Sequence, residues 1–156
     1  MGILFASVTG YELAGFTMEE TQCWGISQEY GCSRGHVHDI RFRDTNKMLN
    51  QDGVDVRKGC HDIVISNVVE TADAAKGEPT CKATLRIGDR GYWSIRCCEM
   101  GEMSDITVRD VKSASKVGVL IRGMLADSSI CGITVPAGAE KYRIDAPIRN
   151  VRLDER

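Results

Sequence analysis

Short runs of alternating apolar and polar residues recur along the chain. Asp62-Ile63-Val64-Ile65-Ser66-Asn67-Val68 is one, rich in β-branched side chains, and a period of two places Ile63 and Ile65 on one side of an extended strand. Similar phrases stand at Gly15 to Thr21, Asp39 to Thr45 and Asp105 to Val111, with weaker copies at Gly132 to Val135 and Asn150 to Asp154. A second family precedes them: Ile26 to Glu29, Val54 to Arg57, Leu85 to Gly88 and Val117 to Arg122, each reading apolar, x, apolar. Glycines at 31, 59, 88 and 123 follow these runs and suit tight corners, because positive φ costs glycine nothing.

A single strand of this kind cannot bury its apolar side alone, whereas coils stacked about 4.8 Å apart pair each strand with the copies above and below. No helical period of 3.6 is sustained. The pattern therefore predicts one all-β domain over residues 1–156, a parallel β-helix of about five to six coils. The competing architecture is an antiparallel β-sandwich, which also spaces short strands regularly. In the solenoid, Ile40, Ile63, Ile106 and Ile133 are expected to stack as one internal ladder, since each holds the same place in its phrase. Ile26, Val54, Leu85 and Val119 are expected in register in the second family, which turns Glu29, Asp55, Arg57, Arg86 and Arg122 outward as a mixed carboxylate and guanidinium strip. Such a strip either holds an acidic sugar bidentately through arginine or consists of ordinary solvated ladder residues. Two stretches, Thr71 to Thr80 and Asp89 to Met103, read as projecting loops. The second carries Tyr92 and Trp93, which with Trp24 offer sugar-stacking faces or cover the ends of the core.

The net charge of -2, with both signs interspersed, leaves no basic stripe for nucleic acid. No run of about 20 apolar residues spans a membrane, and the opening MGILFASVTG lacks the basic region of a signal peptide, so as written the chain is expected in the cytoplasm. The seven cysteines are scattered and odd in number, without CxxC spacing or a ligand-spaced histidine pair beside them, and read as buried structural thiols. No metal and no cofactor is expected. Ile3, Leu4 and Phe5 open the first coil with no amphipathic segment ahead of them, so the domain is expected to lack an N-terminal cap and to self-associate through that coil.

Asn50-Gln51-Asp52-Gly53-Val54-Asp55 resembles the N-x-D-G-hydrophobic-D motif of glycoside hydrolase family 28, the polygalacturonase-like enzymes of the pectin-lyase-like superfamily. Gly59-Cys60-His61-Asp62-Ile63, Arg86 to Trp93 and Met103 to Val111 are similar to later turns and coils of that family. The resemblance implies a right-handed β-helix whose groove takes a pectic or other polysaccharide and hydrolyses it with inversion, in proteins that are often secreted. The match makes Asp52 a catalytic carboxylate and, with the outward parity of Asp55, places both acids near Arg86 as the catalytic pair; the outward strip and the aromatic loop supply the candidate substrate-binding residues Glu29, Arg57, Arg86, Arg122, Tyr92 and Trp93. Inversion needs two carboxyl groups about 6.5 to 9.5 Å apart. The family's later G-x-D-D, G-H-G and R-x-K motifs do not follow here, which keeps a second function open: a non-catalytic β-helix that binds glycans or serves as a structural module.

Overall fold

A computed structural model of the chain describes residues 2–21, 23–44, 52–72, 83–88 and 101–154. It is an all-β parallel solenoid of about five turns, with no helix among the described residues and hence none long and apolar enough to cross a membrane. One sheet runs β1 (Ile3–Ala6), β4 (Ile26–Glu29), β6 (Val54–Val56), β8 (Leu85–Ile87), β10 (Val117–Ile121) and β13 (Glu140–Ile144). The other runs β2 (Thr9–Ala14), β5 (Ser33–Asp44), β7 (His61–Ala72), β9 (Met103–Lys112), β11 (Leu125–Ile130) and β14 (Ile148–Leu153). Two short strands, β3 (Thr17–Glu19) and β12 (Ile133–Thr134), add to β5 and β9, and every pairing among the described residues is parallel.

Parallel pairing in constant register stacks like on like. In the first sheet Ile26, Val54, Leu85 and Val119 lie in one register row, as the pattern predicts. All four are essentially without solvent contact, and each such side chain taken from water contributes roughly 1.5–3 kcal/mol.

The isoleucine ladder is different from the expected one. Ile63 pairs with Ile106, but Ile40 pairs with Val68, and Val68 in turn with Val111 and then Ile133. There are two internal ladders where the phrase suggested one. The cause is the backbone at the aspartate that opens each phrase. Positive φ is found at Arg34, Asp62, Asp105, Asp127 and Asn150 along one corner, and at Asp39, Asn67 and Asp110, flanked by Gly15 and Gly132, along the next. Asp and Asn tolerate this conformation better than other side-chain-bearing residues because their short polar groups satisfy nearby amides. Among the described residues, seven of the twelve non-glycine residues at positive φ are Asp or Asn, so Asp-Ile marks a corner without saying which corner. The second corner bends the long strands β5, β7 and β9 in mid-run. Across it Asn67 Nδ2 donates to Asp39 Oδ1, and Asn150 Nδ2 repeats the bond to Asp127 Oδ1 at 2.8 Å on the first.

Cys32 and Cys60 sit at 0% exposure in the turn between the sheets, as buried structural thiols should, whereas Cys23 and Cys131 are only partly buried. Burial comes first among the causes that push the Cys60 thiol up to about 12, followed by the neighbouring Cys32.

Candidate functional site

Asp52 and Asp55 lie beside Arg86. Asp55 and Arg86 are register partners on β6 and β8, and Asp52 precedes β6 by two residues. Arg86 Nη2 lies 2.7 Å from Asp52 Oδ2, and its Nε lies 3.9 Å from Asp55 Oδ1. The other Asp52 oxygen accepts the Ala83 amide at 3.2 Å, which ties the coil of Asp52 to the start of the next.

Around Glu29 lies a second charged group. Arg57 reaches it at 3.0 Å, donates to Ser27 Oγ at 2.7 Å and lays its guanidinium 4.0 Å over the Trp24 ring. Lys58 donates to the other Glu29 oxygen and to the Tyr30 hydroxyl, 2.9 Å away. Burial alone would raise the Glu29 carboxyl. The Lys58 hydrogen bond, the Arg57 charge and the Ser27 hydroxyl outweigh it and hold the group below the usual glutamate range. Trp24 is thus occupied by a protein cation, the interaction its negative ring face favours.

The outward strip is not solvated. Asp52 and Asp55 are 0% exposed, Arg57 2% and Arg86 3%, and β4, β6, β8 and β10 are buried on both faces. Alternation in the strand gives the direction of a side chain and not what lies beyond it, so the expected open groove is replaced by a closed, paired charge layer. Arg122 stands apart from this layer, a third exposed and 3.5 Å from Asp145. Tyr92 and Trp93 lie outside the described residues.

Two further polar groups escaped the sequence reading. Glu70 takes the inward place that Phe42 holds one coil earlier, and accepts from Thr84 Oγ1 at 2.7 Å, Ser115 Oγ at 2.8 Å and the Ala114 amide at 2.9 Å. A buried carboxylate so engaged pins three coils together. The other group lies on the outer face of the second sheet, where His36 and His38 alternate with the fully buried Val37 on β5. Their rings stand 4.0 Å apart. His38 has carboxylates at both nitrogens, Asp39 Oδ2 2.7 Å from Nδ1 and Glu12 Oε1 2.9 Å from Nε2, and Asp39 first and Glu12 second raise its pKa. His36 Nε2 lies 3.2 Å from Ser66 Oγ, and its pKa is lowered, first by burial and then by the His38 charge. The signal in the sequence was His-x-His inside an alternating strand, which puts both rings on one face.

Searches of protein-family models, curated proteins and solved structures return no match to this chain, so the reading of its sites rests on their geometry.

Proposed function

We propose that this chain is a carbohydrate-active β-solenoid that hydrolyses glycosidic bonds of a pectic or similar polysaccharide with inversion, at the outer face of its first sheet. The observation that carries the reading is the convergence of Asp52 and Asp55 on the single guanidinium of Arg86 from the next coil, in the setting of the N-x-D-G-V-D motif. In this reading one carboxylate removes a proton from water as its oxygen bonds to the anomeric carbon. The other, protonated, passes its proton to the departing glycosidic oxygen. Arg86 orients both and takes an acidic sugar by charge-assisted hydrogen bonds. Substrate must open the closed layer to reach them.

A second reading, a non-catalytic glycan-binding or structural solenoid, is favoured by the complete burial of the pair and by the Asp52 bond to Ala83. A reducing-sugar assay across pectic and other plant polysaccharides separates the two. Under the first reading Asp52→Asn lowers turnover by about 10³-fold or more, the scale of losing an acid or base that the reaction requires. Under the second there is no turnover to lose, and the substitution shows only in the thermal midpoint. Full activity in Asp52→Asn overturns the catalytic assignment.

A further inference from the structure

We infer that Glu12, His36 and His38 form a site for a divalent first-row transition cation on the outer face of the second sheet, with Asp39 as the group that orients His38. One ligand atom from each of the three side chains lies within 4.8 Å of the other two. A metal about 2.0–2.2 Å from each nitrogen and oxygen wants ligand atoms about 3.3 Å apart. His38 Nε2 and Glu12 Oε1, at 2.9 Å, stand slightly inside that spacing. The remaining separations close by rotation of the side chains themselves, and Glu12, 70% exposed, has the room to move.

The hydrogen bonds around His38 are those of a ligand. With Nδ1–H donating to Asp39, Nε2 and the Glu12 carboxylate share a proton, and a cation that displaces that proton would find both lone pairs turned toward the same point. A carboxylate on the far nitrogen of a metal-bound imidazole fixes its tautomer and raises its basicity. Asp39 is itself held by Asn67 Nδ2. The strand register builds the rest: Glu12 pairs with His36, Ala14 with His38, and the period of two keeps both rings on the solvent side. Glu12 and Asp39 supply negative charge, and Arg109 is the cation that opposes them from β9. Two imidazoles and one carboxylate select zinc, cobalt, nickel or copper over calcium or magnesium, and three protein ligands leave at least one position open to water or an exogenous ligand.

The test is titration of the whole chain with Co(II) and Zn(II), followed by absorption and by calorimetry under reducing conditions. One equivalent is expected to bind, with Co(II) bands of nitrogen and oxygen ligation and no thiolate charge transfer. That distinguishes this site from the cysteines. His38→Ala and Glu12→Gln are expected to weaken binding roughly 100-fold or more, and Asp39→Asn by about 10–100-fold as a group acting through His38. Because Glu12 is exposed, Glu12→Gln tests the site without loss of fold. Binding unchanged in His36→Ala/His38→Ala, a thiolate spectrum, or no binding of either metal at millimolar concentration overturns the proposal.

Discussion

The outer faces of the two sheets are built by the same alternation and behave in opposite ways. On β6, Val54 and Val56 turn inward and Asp55 outward; on β5, Val37 turns inward and His36 and His38 outward. Yet Asp55 is sealed at 0% exposure, whereas His38 and Asp39 reach solvent and Glu12 is largely exposed. Charges taken out of water must be matched by partners at short range, and the first face meets that demand with Asp52, Asp55 and Arg86 in one group and Glu29, Arg57 and Lys58 in another. The second face is under no such demand. Its groups also pair with one another, but at the surface, where water can take the place of a partner.

The contrast breaks most visibly at Arg86. Removing one partner of a buried pair strands the other, so Arg86→Met is expected to destabilise the fold by about 3–5 kcal/mol, read by urea or thermal denaturation. A loss under about 1 kcal/mol, the range of exposed pairs, would show that water reaches this face. The same logic applies to Asp52→Asn: buried and bonded to both Arg86 and Ala83, Asp52 contributes to stability as well as to any chemistry, so its substitution lowers the thermal midpoint too.

Glu29 sharpens the comparison through pH. Its folded carboxyl is held below the unfolded value of about 4.3, so its contribution is complete above that value and is lost as pH falls through the depressed folded one. The stability gap between the native chain and Glu29→Gln should therefore be full at neutral pH and shrink in acid. A gap that stays constant from neutral pH into strong acid would contradict the buried network around Lys58 and Arg57.

The smallest effect is expected on the open face, where Arg43 and Glu19 lie 2.9 Å apart with both side chains more than half exposed. Arg43→Ala should cost no more than about 0.2–1 kcal/mol and less at high salt. A larger, salt-insensitive loss would mean that this face is buried in solution.

The fold was legible because it depends on parity. Alternation, recurring phrases and the glycines after each short run determined a parallel solenoid, and the register of Ile26, Val54, Leu85 and Val119 followed from the strands themselves. The proximity of Asp55 and Arg86 followed too, since adjacent coils repeat the same outward positions, whereas Asp52, ahead of the strand, joins them only in the folded coil. Identical local signatures could not be told apart: Asp39-Ile40 and Asp62-Ile63 read alike, although one aspartate turns the chain at one corner and the other at the next. Nor does alternation reveal what covers an outward residue or which distant groups meet there. Glu12, His36 and His38 become neighbours only when one coil lies on another, and Asp55 becomes buried only when its face is closed. Periodicity is a property of the chain next to itself and can be read along it; burial and convergence depend on segments far apart in sequence, and only tertiary packing brings those together.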